Sequence, residues 1–249
     1  MLRPRRQTGR VAGEQHDEQD DEQQPRSRWR HLVWVGVAMI VAGVLVLGYV
    51  GWQLYGTTWV SKREQKSIVG ATERVWEQQG EGQGSVSDKD EELADDVVAL
   101  IRIPALGESY VVPAHEGTDD ETLSRGFGVF DSSPDPGGKG NFALAGHRIT
   151  HGEPLREMPD LDAGDEVVVE TRDVVYTYVL DTAGDSLTVD FDAGWVTAAD
   201  PVDPGTGQSL SDQVGSNRLL TLVTCAELFH TDDRLVAFGH LVSKEPKDP

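Results

Sequence analysis

Cysteine is almost missing from this chain of 249 residues, where Cys225 stands alone. A lone cysteine excludes an intramolecular disulfide, so stability must come from burial. Basic residues are scarce too, with 22 Lys and Arg against 43 Asp and Glu and a formal net charge of -21. That balance excludes nucleic acid as a partner, because phosphate backbones are bound by Lys and Arg. No internal repeat is evident. The negative charge is unevenly placed. Residues 1–31 hold 7 Lys and Arg against 6 Asp and Glu, whereas residues 56–249 hold 15 against 37.

Between these two parts lies an uncharged run, Val33 to Tyr55. As a helix it is long enough to cross roughly 30 Å of hydrocarbon. Trp29, Trp34, Trp52, Tyr55 and Trp59 sit near its ends, where amphipathic rings favour the membrane interface. A cleaved signal peptide is the alternative, but its apolar core spans only about 7–15 residues before a small-x-small site. Leu54-Tyr55-Gly56 makes a poor site of that kind, so an uncleaved anchor is expected. Arg26, Arg28 and Arg30 before the run balance Lys62, Arg63 and Lys66 after it. Only the distal Arg3, Arg5, Arg6 and Arg10 tip the count towards a cytoplasmic N-terminus. The polar, mixed-charge segment 11–28 is expected to be disordered.

Beyond the run, Trp59, Val60, Ile68, Val75 and Trp76 recur among charged residues without proline, which predicts a helix over 57–79. Residues 80–96, rich in Gly and acid, read as a flexible spacer. From Val97 onward the pattern changes to short apolar runs at 97–103, 109–114, 141–146, 165–171, 174–180, 218–224 and 234–242. Their Val, Leu, Ile, Tyr and Phe content, bounded by Gly, Pro or Asp, predicts strands. Arg172-Asp173 predicts a tight hairpin between two of them. Seven or eight short strands with little helix predict a closed or nearly closed β-barrel.

Cys225 ends the strand-like run RLLTLVTC, just where polar, loop-like residues begin. A rigid strand would then hold an exposed thiol. Taken alone, a single Cys is more often a small buried hydrophobe. Arg234 opens the next strand nine positions later, and a hairpin-like return would bring it beside Cys225. A guanidinium there lowers the cost of a thiolate and can donate to a developing oxyanion. His147 ends another strand-like run, NFALAGH, and an imidazole is the usual proton carrier near neutral pH. By residue type alone, each of the seven histidines is more often structural, and Arg234 more often a partner for Asp232 or Asp233. His147 and His151 are four apart, but in a loop, and no second thiol stands near Cys225, so no metal site is expected.

Three motifs now resemble one family. Thr221-Leu222-Val223-Thr224-Cys225 resembles the sortase TLxTC signature, with Arg234 at the family's spacing. Ile103-Pro104-Ala105-Leu106-Gly107 resembles the sortase IPxLG strand, and Gly140-Asn141 through Ala145-Gly146-His147-Arg148 resembles the segment bearing the family histidine. Trp52 to Thr58, and His147-Arg148 followed by Gly152 and Pro154-Leu155, resemble class E sortases of high-GC Gram-positive bacteria. The resemblance implies an all-β fold with short helices, an eight-stranded sortase-type barrel preceded by one transmembrane helix. It implies a cysteine transpeptidase in which Cys225 attacks a C-terminal sorting signal (LAxTG- or LPxTG-like) between Thr and Gly. Arg234 would stabilise the oxyanion and protonated His147 would supply the leaving amine. Thr224, His151 and Arg148 would contact substrate. The thioacyl intermediate would pass to the amine of a lipid-linked peptidoglycan precursor. The partners implied are sorting-signal-bearing secreted proteins, that precursor and the membrane.

The expected organisation is a cytoplasmic tail at 1–32, a single-pass anchor at 33–55, a membrane-proximal helix and linker at 56–96, an extracellular catalytic barrel at 97–243 and a tail at 244–249. A cysteine protease releasing product to water and a non-catalytic cell-wall-associated domain are the alternatives. No cofactor is expected. The pairs Asp95-Asp96, Asp119-Asp120 and Asp232-Asp233 could invite Ca²⁺, but read first as solvated loop charge.

Overall fold

The computed structural model describes residues 26–52, 57–81, 86–225 and 232–247. The expected disordered tail lies mostly outside them. Helix α1, Arg26–Gly51, contains the stretch His31–Gly51, 21 residues of mean hydropathy 2.4, long and apolar enough to cross a membrane. Leu32, Val35, Ile40, Leu45 and Leu47 are all exposed along it.

Helix α2, Thr57–Glu81, differs from a simple stalk. Its buried positions include Ser61, Gln65, Ile68, Thr72 and Val75, a stripe at helical spacing flanked by buried Val69 and Ala71, whereas Trp59 and Val60 are exposed. The stripe packs on strand β2, Val112–Glu116. Where the sequence predicts a flexible spacer over 80–96, a short helix α3 forms at Asp88–Ala94. Ser87 caps it by accepting from the Asp90 N–H, and Asp90 pairs with Arg74 of α2 at 2.6 Å.

The barrel begins with β1, Val97–Arg102, followed by β2. Next come α4, Asp120–Arg125, β3, Phe127–Val129, and β4, Gly140–Ala145. The hairpin strands β5, Glu166–Glu170, and β6, Val174–Leu180, flank Arg172-Asp173 as expected. Strand β7, Leu187–Asp190, and helix α5, Leu210–Val214, precede β8, Arg218–Cys225, and β9, Asp233–Pro246. The order β6-β5-β1-β2-β3-β4-β8-β9 closes through a β9–β6 ladder, giving the expected eight-stranded barrel. The short β7 pairs with the first residues of β9, below the β6 ladder. Strand β9 therefore runs into the predicted 244–249 tail, because Lys244, Glu245 and Pro246 register with β6. Two pairings are parallel, β2–β3 and β4–β8.

Alternation on β8 sorts the core. Leu220 and Leu222 point into the barrel with Phe142, Leu144, Tyr178 and Ala237. Leu219 and Val223 point outward into a second apolar cluster with Val196, Leu210, Val236 and Phe238. The outer layer is tied on by two buried polar residues. Asn141 of β4 donates from Nδ2 to the Val196 O at 3.1 Å and the Ala198 O at 3.0 Å, and accepts from Thr221 Oγ1 at 2.9 Å. Thr221 Oγ1 also reaches the Val196 O at 3.2 Å. Both Asn141 and Thr221 are fully buried. Asn141→Ala strands the Ala198 carbonyl and opens a hole, so a loss of roughly 2–4 kcal/mol is expected. Urea unfolding checks it; a change in the midpoint no larger than for a surface substitution contradicts the tie.

Candidate active site

The parallel ladder of β4 and β8 runs from Gly140–Arg218 to Ala145–Val223. Two positions further on, His147 follows β4 and Cys225 ends β8. On the other side of β8, Cys225 registers with Arg234 at the start of β9. The three predicted residues thus stand on three adjacent chains at one end of the barrel, with neighbouring strands about 4.8 Å apart. Two bonds lock this end. The Gly146 N–H donates to the Val223 O at 3.1 Å, and the buried Thr224 Oγ1 donates to the Gly146 O at 2.8 Å. The structure describes Cys225 through its backbone; its side chain, and residues 226–231 after it, lie outside the described residues.

A cleft of about 390 Å³ opens here. His147, Thr224 and Arg234 line it, with Asp120 and Leu123 of α4 on one wall and Phe191 after β7 on another. The Arg234 guanidinium lies over the Phe191 ring at 4.3 Å, and Nη1 donates to the Asp233 O at 3.1 Å. His151 and Arg148 do not line this cleft. His151 instead packs its ring on His147, centroid to centroid 5.0 Å.

Burial, and then the neighbouring His151, hold the His147 imidazole down at about 4, against an opposing pull from Asp120. Both effects favour the neutral imidazole near neutral pH. His115, buried in β2, is held low chiefly by burial as well. A histidine that titrates lower when folded binds fewer protons in the folded chain than in the unfolded one. Its stabilising contribution is complete above about pH 6.5 and fades as pH falls towards the folded value. Urea midpoints are expected to drop between pH 7 and pH 5. Equal midpoints at the two pH values contradict this.

One residue in each of two acidic pairs has a structural partner. Asp96 forms an ion pair with Arg125 of α4 and lies 3.3 Å from His115 Nδ1. Asp119 caps α4 by accepting from the Glu121 and Thr122 N–H groups. Among the described residues no group of three or more His, Cys, Asp or Glu is placed to hold a metal ion.

Sequence reasoning named neither Phe191 nor Asn141 as functional. Phe191 follows a strand of only four residues, too short for a periodic signal. Asn141 lies in the motif before His147, and its amide bonds depend on carbonyls more than 50 positions away, which no local pattern marks.

The fold and site define a closed β-barrel that gathers a histidine, a cysteine and an arginine position at one rim. The sortase domain family matches residues 101–242, so the chain belongs to the sortase family. It resembles the class E members. It is 32% identical over 221 residues to sortase SrtE1 of Streptomyces coelicolor, covering 86% of this chain and 58% of that protein. It is 25% identical over 226 residues to sortase SrtE2 of the same organism, covering 86% of this chain and 83% of that one. Among solved structures, sortase E from Streptomyces avermitilis superposes with a TM-score of 0.52 at 35% identity, covering 61% of this chain and 91% of that chain. Sortase E1 from Streptomyces coelicolor with a tripeptide in its active site gives 0.50 at 31% identity, with coverages of 61% and 91%. The chain thus spans little more than half the length of SrtE1.

Proposed function

We propose that this chain is a membrane-anchored cysteine transpeptidase that cleaves an LAxTG- or LPxTG-like sorting signal between Thr and Gly and transfers the acyl group to a peptidoglycan-precursor amine. The observation that carries the reading is the strand register at one barrel rim. Cys225 faces Arg234 across the β8–β9 ladder, while His147 continues β4 beside it. The tripeptide in the active site of the related sortase E1 supports a peptide ligand. The class E resemblance leans towards LAxTG.

The neutral imidazole orders the proton steps. His147 accepts the Cys225 thiol proton as sulfur attacks the Thr carbonyl carbon. Arg234, aimed by Phe191 and the Asp233 carbonyl, stabilises the oxyanion. The C–N bond breaks and the leaving Gly amine takes the proton from His147. An acceptor amine then attacks the thioester and gives a proton to His147. The C–S bond breaks, and the departing thiolate takes that proton back. Helix α1 would anchor the chain with the N-terminus cytoplasmic and the barrel outside.

The test uses the full chain in detergent micelles with LAxTG and LPxTG peptides, with and without a diaminopimelate-like amine. Mass spectrometry is expected to show an acyl adduct on Cys225 and an amide product with the amine. Free acid alone in the presence of amine makes it a protease. No adduct on Cys225 with either peptide or a thiol-directed peptide mimic makes it a non-catalytic domain.

A further inference from the structure

We propose that helix α2 is a positioning element of the active site, in which Gln65 fixes the backbone of His151 so that the His151 ring seats His147 against the cleft. This rests on the reading of His147 as the proton carrier.

Gln65 is an unusual residue to find in an apolar interface. It is only 5% exposed, in the middle of the stripe that α2 buries against the barrel. A buried amide needs a partner, and this one reaches the loop after β4. Its Nε2 donates to the His151 O at 3.1 Å. The amide also lies flush on Gly152, where an added Cβ would come within 2.5 Å of Nε2.

The loop needs such support. His151, Gly152 and Glu153 are consecutive in left-handed backbone, with φ of 50°, 86° and 54°. Glycine adopts it freely, but the two flanking residues do not, and they persist there only where the surroundings hold them. Part of that holding comes from the loop itself, where Arg156 Nη1 pairs with Glu153 Oε2 at 2.7 Å, and part from α2. Besides Gln65, Thr58 Oγ1 donates to Glu153 Oε1 at 3.4 Å, and the Lys62 Nζ lies 3.8 Å from Glu153 Oε2. From the barrel side, the Tyr110 hydroxyl donates to the Pro154 O at 2.6 Å.

What the loop delivers is the His151 ring. Nε2 of His147 is buried and has no hydrogen-bond partner among the described residues. That nitrogen is therefore held in place by packing, with the His151 ring 5.0 Å away and tilted by 34°. The charged or titratable groups facing His147 are His151 on its own loop, Asp120 on α4, Arg234 on β9, and Asp190 and Asp192 across the cleft. Cys225 ends the adjacent strand. Of these, His151 is the one whose backbone a side chain of α2 hydrogen-bonds. Releasing it exposes His147 to water and removes the neighbouring ring, and both changes let the imidazole titrate higher.

The experiment compares the full-length chain with Gln65→Met, which keeps the length and burial of the side chain and deletes the donor. The histidine ring resonances are followed by NMR in micelles across pH, with His147 assigned by the peak lost in His147→Gln. Peptide turnover is measured in parallel. In Gln65→Met the His147 midpoint is expected to move up towards the ordinary imidazole range. The kcat is expected to fall roughly 10- to 100-fold, with KM changed by less than about twofold. Thr58→Val and Lys62→Met loosen the same loop from its rim and should move both readouts less, in the same direction. They keep the test readable if Gln65→Met does not fold. Arg74→Ala removes the α2 contact to Asp90, far from the loop, and should move neither. An unmoved His147 midpoint, or turnover falling only with the folded fraction, overturns the proposal. Full turnover in His147→Gln has a separate signature, since it overturns the proton-carrier reading whatever Gln65→Met does.

Discussion

Changing Cys225 to Ala is expected to lower cleavage of an LAxTG peptide by about 10⁴-fold or more, with the fold and peptide binding kept. In the proposed mechanism the sulfur forms the bond to the acyl carbon, a role the alanine methyl cannot take. The cleft walls, Arg234 and His147 remain and still bind, so the loss falls on kcat rather than KM. Cys225→Ser is expected to be nearly as inactive, because a hydroxyl is far harder to ionise than a thiol beside a neutral imidazole. Measurement is by fluorogenic peptide and by calorimetric binding of the same peptide. If Cys225→Ala cleaves at the parental rate, the nucleophile lies elsewhere and the mechanism fails at its first step.

Arg234→Ala is expected to reduce kcat/KM by roughly 100- to 1000-fold, the usual cost of losing one oxyanion donor. Arg234→Lys should recover little of it. The planar guanidinium stacks on the Phe191 ring at 4.3 Å, and a lysine ammonium has neither the flat face nor the forked donors. Phe191→Ala provides a graded check. It leaves the charge and removes the surface that aims it, so a loss of several-fold is expected, in line with about 0.5–1 kcal/mol for an exposed cation–π contact. Arg234→Lys within about threefold of the parent would mean that charge alone suffices and that stacking geometry is irrelevant.

Much of the barrel was legible because its strands alternate and its turns carry Gly, Pro or Asp. The run 174–180 coincides with β6, and Arg172-Asp173 forms the predicted turn. The elements that escaped are short. Strand β3 has three residues and β7 has four, and neither spans enough positions for a period to show. Helix α3 was hidden by its acidity, because Asp88, Asp90 and Glu91 look like solvated spacer until Ser87 and Arg74 are seen to hold them. Helix α2 was legible as a helix, but its buried face was not. Apolar counting favoured Trp59 and Val60, which are exposed, over Ser61 and Gln65, which are buried. Polar burial depends on a partner distant in sequence, and the Gln65 partner is 86 residues away. In the site, the strand ends could be placed from pattern and family resemblance, whereas Phe191 and the His151–His147 contact depend on loops whose paths no local pattern encodes.

The pairing of β4 with β8 joins segments far apart, with Thr224 bonded to a carbonyl 78 positions earlier. Ribosomes deliver the chain N-terminus first, so the imidazole emerges long before the strand that will stand next to it. Until the last ladder zips shut, the newborn polypeptide carries these residues without the rim that brings them together. The cost is tempo, since contacts this distant along the chain form late and slowly.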